Sequence, residues 1–319
     1  MMIQNISAPK SKRKIGYSDF LPIVGLVFVI LLFTAITGGD ILNQSNIRTI
    51  VDSALTIAMI STGAIFVYAG GTLDLSIGSI LGFANMVGIA VAITTNNWFL
   101  MLLAEIAVCT VFTNFNYLIQ RTLGVPAFVT SLCVSYMARG AVQIIMSTRS
   151  LSLPESMYWL DSWYLKIAAL LVVILITTYF FNYTELGKYN CAIGGNSKAA
   201  EQAGVRIGRY RQLAYTYHGI VMGIASFLYS AHTVGVKATS GQGFELKVMF
   251  ALVLGGLPLA GGYGARAYCG YIGAFTIIFL EYGLQLIGVA AAYAQGFVGL
   301  LFLIVVVLRY DKDPDRLLQ

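Results

Sequence analysis

Charged residues are scarce in this chain of 319 residues. Asp, Glu, Lys and Arg make up 11% of the sequence against 58% hydrophobic residues, whereas about a quarter of a soluble domain is charged. The mean hydropathy is +0.78, and apolar runs close to the length of a bilayer-spanning helix recur throughout. These runs lack the alternation of barrel strands. The sequence therefore predicts an all-α polytopic membrane protein.

Sequence motifs of enzymes and metal sites are also absent. There is no GxxxxGK[ST] phosphate loop, no HExxH and no GxSxG, and the four cysteines show no CxxC or zinc spacing. The two histidines, His218 and His232, are far apart in sequence and are predicted to lie at the membrane interface. The acids in or near apolar runs are also widely separated. We therefore predict no catalytic residue, no metal site and no cofactor, and we rank a membrane-embedded enzyme or scaffold low.

The apolar runs predict about ten transmembrane helices in a permease domain of residues 20–308. The predicted spans are 20–36, 47–69, 75–95, 98–120, 126–146, 165–183, 213–233, 246–260, 268–289 and 292–308. A basic tail, residues 1–19, precedes the first span, and a second tail, residues 309–319, follows the last. The first span is longer than a signal-peptide core and has no convincing cleavage site, so we expect it to be retained.

The distribution of Lys and Arg predicts the orientation. With the N-terminus in the cytoplasm, most basic residues between or after the spans also lie inside, as the positive-inside rule requires. Ten spans then place the C-terminus in the cytoplasm. The net charge of +6 is explained by topology, and we predict no nucleic-acid partner.

Two segments outside the spans have a distinctive composition. Residues 147–164, on the outer side, contain two tryptophans and two acids. They form either an interfacial aromatic belt or a rim on which an external partner docks. The cytoplasmic loop, residues 184–212, is longer than the roughly 2–8 residues that join antiparallel helices. It holds a short helix for which we predict Ser197 as N-cap and Gly204 as stop. This loop is either a capped linker or a docking element.

Polar residues interrupt the apolar pattern at "GGTLDLSIGS", residues 70–79. The pair Gly70-Gly71 is predicted to end one helix, and an unwound backbone at membrane depth must face protein or water. Asp74 and Ser76 then lie where the next helix begins. We expect Asp74 to accept hydrogen bonds from free N–H groups there, to line a polar path, or both. A second pair, Gly261-Gly262, is interpreted in the same way.

Two charges near the membrane interior also stand out. Arg139 lies within a predicted span, where a charge normally faces a partner or water. It either braces a neighbouring helix, reaches the outer interface, or lines a path. Glu245 precedes the eighth predicted span, and we expect it to cap that helix rather than contact a substrate.

Several short motifs in order identify a resemblance. They are "GGTLDLSIGS" (70–79), "PAFVT" (126–130) with Arg139-Gly140, "GGN" (194–196) with Ala199-Ala200 and Ala203-Gly204, "GFEL" (243–246) with "VLGG" (253–256), and "GGYG" (261–264). Together they resemble the ribose-type sugar permeases of bacterial ABC importers, within the branched-chain amino acid/ribose-type permease family. The similarity extends from about residue 45 to residue 305.

The resemblance implies a type II ABC importer fold in the bacterial cytoplasmic (inner) membrane. It implies a second permease subunit, identical or paralogous, together with cytoplasmic ATPase subunits that use ATP, an extracytoplasmic sugar-binding protein and membrane lipid. The translocation path would include Gly70, Gly71, Asp74, Ser76, Ser79, Phe128, Arg139 and Gln285. The coupling helix that contacts the ATPase would include Asn196, Ser197, Lys198, Ala199, Ala200, Glu201, Ala203, Gly204 and Arg206.

Two alternatives remain at the level of sequence. An ion-coupled secondary transporter also carries broken helices, but it needs no ATPase. Within the importer interpretation, the substrate is a ribose-like monosaccharide, a nucleoside or a furanosyl signalling molecule. In each case the chain forms no covalent bond with its substrate and works by a shift between two packed states.

Overall fold

The computed structural model describes residues 20–309, so the predicted tail 1–19 and residues 310–319 lie outside the described part of the chain. Two short 3₁₀ helices, Asp40–Leu42 and Glu155–Asp161, accompany the α-helices. The α-helices are α1 (Leu21–Ile36), α2 (Gln44–Ala69), α3 (Ile77–Thr95), α4 (Trp98–Leu123), α5 (Ala127–Met146), α6 (Trp163–Tyr183), α7 (Glu185–Gly195), α8 (Ser197–Gln202), α9 (Ile207–Thr233), α10 (Phe244–Leu254), α11 (Cys269–Leu286) and α12 (Ala291–Arg309).

The helices confirm a polytopic all-α membrane protein. Six of them, α2 to α6 and α11, are long and apolar enough to cross a membrane. The helix Leu21–Ile36 and residues Ala291–Val307 of α12 form two shorter apolar segments. Most helix ends lie within a few residues of the predicted span boundaries.

The eighth predicted span, 246–260, is wrong as a continuous helix. Helix α10 has 11 residues, which at about 1.5 Å per residue is roughly half the thickness of the hydrocarbon core. It ends at Leu254 with Gly255 as its C-cap, and Gly256 adopts a left-handed φ of 104°. Residues 255–268 form turns before α11 begins. The apolar composition of this stretch predicted a continuous helix, but Gly255 and Gly256 end it.

Helix α2 is the central element of the packing. It contacts α6, α7, α9, α10 and α11. In its most apolar 18-residue segment, 78% of the residues are buried. It runs antiparallel to α11, because the Tyr282 hydroxyl bonds Asn46 near the start of α2 while Gly270 packs against Ser61, further along α2. Helices α4 and α9 also form an antiparallel pair.

The predicted cytoplasmic loop contains two helices, α7 and α8, and the first turn of α9. Asn196 caps α8, since its side chain accepts the Ala199 N–H at 2.9 Å. The prediction that Ser197 is the N-cap is therefore wrong by one residue, because Ser197 is already in the helix. Gly204, with φ of 85°, is confirmed as the stop.

The two histidines differ in environment. His232 lies near the end of α9, where Asp161 and Lys166 contact it and Lys166 also bonds Asp52 at 2.9 Å. His218, in contrast, is fully buried, so its predicted interfacial position is wrong. It lies on a face of α9 that packs inside the bundle, which the composition of the helix did not reveal.

Candidate functional site

The break between α2 and α3 is a buried polar connection. Helix α2 ends at Ala69, and Gly71 takes a left-handed φ of 75°. The Asp74 carboxylate, which is fully buried, accepts bonds from the N–H of Ser76 at 2.8 Å, from the Ser76 hydroxyl, and from Asn116 on α4. Ser76 directly precedes α3. Asp74 therefore satisfies an N–H group at the start of the helix, as expected, although one residue before the first turn.

The hydrogen-bond network around Asp74 extends to two further helices. Gln120, one turn after Asn116 on α4, donates to the amide oxygen of Asn116 and to the hydroxyl of Tyr215 on α9, both at 3.1 Å. The Tyr68 hydroxyl on α2 donates to the Asp74 carbonyl. The break is thus held in one geometry by three neighbouring helices.

Three glycine pairs meet at the end of α2. The N–H of Gly262 donates to the Ala69 carbonyl at 2.8 Å. A Cβ on Gly194 would overlap that carbonyl and lie 2.7 Å from the Gly262 nitrogen, and one on Gly71 would lie 3.3 Å from the Gly194 Cα. We call the pairs 70–71, 194–195 and 261–262 the glycine junction. It joins the α2–α3 break, α7 and the loop 255–268 by backbone contact, which only residues without a side chain allow.

Polar side chains of α7 lie beside this junction and link α7 to α9. The Asn190 side chain donates to the Leu186 carbonyl at 2.8 Å, and a Cβ on Gly70 would lie 3.2 Å from its amide oxygen. The Tyr210 hydroxyl on α9 donates to Glu185 at 2.6 Å. This hydrogen bond raises the pKa of Tyr210 above its ordinary value. The hydrogen bond between Tyr210 and Glu185 links α7 to α9.

A second polar cluster lies near the middle of α5. Arg139 donates through Nε and Nη2 to the Ser79 hydroxyl on α3, at 3.2 and 3.0 Å. Ser79 also bonds Ser135, one helical turn before Arg139, at 2.7 Å. The guanidinium Nη2 lies 3.6 Å from Glu245 Oε1 on α10. Of the predicted alternatives for Arg139, the structure shows the bracing of neighbouring helices.

The first turn of α10 carries a further ion pair. Lys247 Nζ lies 2.6 Å from Glu281 Oε2 on α11. Glu245 lies in the first turn of α10, where the helix dipole favours its negative charge as predicted. It forms no side-chain capping hydrogen bond, and its carboxylate faces Arg139 instead. Its Oε2 is buried without a hydrogen-bond partner among the described residues. The cluster therefore has unused acceptor capacity near the helix break that precedes α10.

The other predicted path residues do not join this cluster. Phe128 is in the first turn of α5, and its side chain is exposed. Gln285 is exposed in the last turn of α11, one turn beyond Glu281. The structure thus divides the predicted path into the Asp74 region, the Arg139 cluster and two separate positions.

The predicted coupling residues form one exposed element. Ser197, Lys198, Ala199 and Glu201 are exposed on α8, and Ala203, Gly204 and Arg206 are exposed just beyond it. Ala200 is 6% exposed, so it packs against the protein itself, and the prediction that it contacts a partner is wrong. In a helix this short, one apolar side chain is enough to fix the face turned toward the bundle.

Sequence reasoning missed several residues of these clusters. Ser135 is four residues before Arg139 and Asn116 four before Gln120, and this spacing places each pair on one helix face. It was the available signal. Glu105, on α4, accepts from Ser230 on α9 at 2.9 Å. No spacing in the sequence indicates that pairing.

The arrangement suits noncovalent work. Among residues 20–309, no group of three or more His, Cys, Asp or Glu side chains is placed to hold a metal ion. Carboxylate, guanidinium and hydroxyl groups at membrane depth form releasable hydrogen bonds with a polar solute. A backbone junction that joins a helix break to the helix pair α7 and α8 can transmit displacement between them.

Comparison with known proteins gives consistent matches. The family model described as "branched-chain amino acid transport system / permease component" matches residues 46–306. The ribose import permease protein RbsC of Escherichia coli (strain K12) is 24% identical, over 98% of this chain and 100% of the relative. The autoinducer 2 import system permease protein LsrC of Enterobacter sp. (strain 638) is 29% identical, over 91% and 85%. The fructose import permease protein FruG of Bifidobacterium longum (strain NCC 2705) is 26% identical, over 95% and 94%.

Proposed function

Because the chain belongs to the family of branched-chain amino acid transport system permease components, we propose that it is the permease subunit of an ABC importer for a ribose-like sugar. It is a multi-pass protein of the bacterial cytoplasmic membrane. The observation that carries the detailed proposal is the glycine junction. It connects an exposed cytoplasmic helix pair to a helix break beside buried polar groups.

The chain crosses the membrane ten times, with both termini in the cytoplasm. The eighth crossing consists of residues 236–243, which are mostly turns, the half-length α10 and the loop 255–268. Two observations support this path. Val236 bonds Leu151 at one end, near the outer segment, and Gly262 bonds Ala69 at the other. The distribution of Lys and Arg supports the orientation.

The sugar passes the Arg139 cluster and the α2–α3 break. Ser79 and Arg139 donate hydrogen bonds, and the free Oε2 of Glu245 accepts them, which matches the alternating donors and acceptors of sugar hydroxyls. Gly70, Gly71, Asp74 and Ser76 shape the inner part of the path. Phe128 and Gln285 flank its two ends.

The short helix α8 couples the path to ATP hydrolysis on separate subunits, since the chain itself has no phosphate loop. Its exposed residues, together with Arg206, contact the ATPase. When ATP binding closes the ATPase pair, α8 moves with α7, and the glycine junction passes this displacement to the α2–α3 break and the loop 255–268. The path then changes the side it faces, as a shift between two packed arrangements.

The remaining partners are a second permease subunit, identical or paralogous, and an external binding protein that delivers the sugar. The polar surface of α5 and residues 237–247 supports the first partner. Gln143, Lys237, Thr239 and Gln242 are exposed there in the single chain. Exposed polar groups at membrane depth require protein or water beside them.

A furanosyl signalling molecule is the second candidate substrate. The specific observation in its favour is the 29% identity to an autoinducer 2 import permease. The two substrates share hydroxyl-rich chemistry, so the polar clusters described above suit both. Competition between unlabelled signalling molecule and labelled ribose during uptake separates them.

Purification from the native cells tests the assembly. A tagged chain is extracted in mild detergent, and the co-eluting proteins and any ligand of the binding protein are identified by mass spectrometry. We expect an ATPase subunit in stoichiometric amount and a pentose as the ligand. A chain that elutes reproducibly without ATPase while retaining uptake activity contradicts the proposal.

A further inference from the structure

A cavity of about 620 Å³ opens at the cytoplasmic end of the bundle. It lies between the α4–α5 turn, the start of α9 and the α2–α3 break. Its lining includes Thr72, Gln120, Arg121, Glu201 and Arg211. This volume is typical of a small-molecule site.

Two guanidinium groups dominate the charge of this cavity. Arg121, in the last turn of α4, packs over Gly208, so that a Cβ there would lie 3.4 Å from the Arg121 Cζ. Arg211 lies one turn further along α9, and its Nε is buried without a hydrogen-bond partner among the described residues. Both groups are close enough to the Tyr117 hydroxyl to interact with it electrostatically.

The cavity contains one carboxylate, Glu201, from the coupling helix α8. No ion pair within 4 Å joins it to Arg121 or Arg211 in the described part of the chain. The two cations therefore remain available to an external anion.

Backbone groups add to the positive potential. Helix α5 begins at Ala127 and α9 at Ile207, and both residues line the cavity. The first N–H groups of a helix lack intrahelical partners, and the helix dipole favours an anion beside them. Two such helix starts and two guanidinium groups thus surround the same space.

We propose that this cavity is a cytoplasmic binding site for a phosphate-bearing anion. Arg121 and Arg211 donate paired hydrogen bonds to the phosphate oxygens, and Gln120 and Thr72 contact the rest of the ligand. The source is either a soluble phosphorylated metabolite or an anionic lipid headgroup, which share this chemistry.

The position of the site indicates its effect. The lining joins Gly71 and Thr72 of the break to Glu201 of α8, the elements that the proposed function requires to move. An anion that bridges them favours one packed arrangement and thereby regulates transport from the cytoplasmic side. Anion binding at this site is a property additional to sugar transport, and its regulatory effect rests on the proposed function. The binding test below requires neither sugar nor ATPase.

Phosphate titration of the purified full chain tests the proposal. The delipidated protein in detergent receives inorganic phosphate at constant ionic strength, balanced with chloride, and its thermal midpoint is recorded. We expect a saturable rise for the wild type. Arg121→Gln, and the double variant Arg121→Gln/Arg211→Gln, should weaken the apparent affinity tenfold or more. Arg209→Gln removes the same charge from α9 outside this cavity and should bind as the wild type does.

Native mass spectrometry of protein extracted with its lipids separates the two sources. Stoichiometric phosphatidylglycerol that disappears in Arg121→Gln supports a headgroup, whereas equal lipid retention with saturable phosphate binding supports a soluble anion. The single variant Arg121→Gln keeps the test valid if the double variant fails to fold, because Arg121 is exposed. A non-saturable shift that is equal in wild type and variants overturns the proposal. So does loss of ATPase binding in the variants when the wild type binds no phosphate, since the arginines are then subunit contacts.

Discussion

Two adjacent residues of the glycine junction, Gly194 and Gly195, differ in the space around them. A Cβ on Gly194 would overlap the Ala69 carbonyl, whereas a Cβ on Gly195 meets no atom within 4 Å. The two positions share the sequence "GG", and nothing in the sequence separates them. Their difference comes entirely from the end of α2, which packs against one of them.

We predict that Gly194→Ala destabilises the protein and Gly195→Ala does not. Forcing a methyl group into packed backbone costs about 1–3 kcal/mol, while alanine at a free helical position is neutral or favourable. Thermal unfolding of the purified variants measures the first effect, and sugar uptake in cells measures the expected loss of transport for Gly194→Ala. Equal midpoints and equal uptake for the two variants would show that the junction is not in contact as described.

The Arg139–Glu245 pair gives a second prediction at this scale. We expect Arg139→Met to cost about 1–3 kcal/mol, less than a fully buried pair because both side chains are 20% exposed. The double variant Arg139→Met/Glu245→Gln should recover part of this cost, because it leaves no unpaired carboxylate. Thermal unfolding of the single and double variants forms the cycle, and Arg149→Met, on the exposed outer segment, is the control. If the cost of the double variant equals the sum of the costs of Arg139→Met and Glu245→Gln, the two side chains are not coupled and the pairing is contradicted.

At the scale of elements, hydrophobic runs predicted helices well where packing agreed with composition. Spans such as 47–69 and 98–120 correspond closely to α2 and α4, because long apolar helices are the solution that lipid enforces. The interruption at residues 70–76 was also predictable, since Gly70-Gly71 and Asp74 have no other place in an apolar helix.

Other elements could not be predicted from local sequence. Helix α10 ends six residues before the end of its predicted span, 246–260, because Gly255 and Gly256 turn the chain. The residues around these glycines are nevertheless as apolar as a helix interior. The convergence of residues 70–71, 194–195 and 261–262 depends on tertiary packing. It has no signature beyond three separate glycine pairs.

The cap of α8 provides a test at the scale of one element. Asn196→Ala removes the side-chain acceptor for the Ala199 N–H and should cost about 0.5–2 kcal/mol of local stability. Ser197→Ala, one residue later, leaves that acceptor in place. We expect ATPase binding and uptake to fall further in Asn196→Ala than in Ser197→Ala, which removes only one hydroxyl from the proposed contact surface, measured by pull-down and transport assays. A larger loss of ATPase binding in Ser197→Ala than in Asn196→Ala would instead indicate that Ser197 is the N-cap, as predicted from the sequence.

For the molecule as a whole, we propose a permease that depends on separate ATPase subunits for its energy. Family membership and the apolar helices establish a transport subunit in the membrane. The long apolar runs had already predicted a polytopic membrane protein, and the ordered motifs predicted the permease family. The substrate was not predictable at this scale, since hydroxyl-binding side chains recognise many polar solutes.

We propose that ATP, and no ion gradient, drives this permease, and sugar uptake into right-side-out membrane vesicles is the decisive measurement. Vesicles that contain the chain with its native partners are loaded with ATP, and labelled ribose, the binding protein and an uncoupler that collapses the ion gradients are added outside. We expect ribose accumulation to continue at an unchanged rate in vesicles loaded with ATP and to stop in vesicles without it. Accumulation that ends with the uncoupler while ATP remains would contradict it and would identify a secondary transporter.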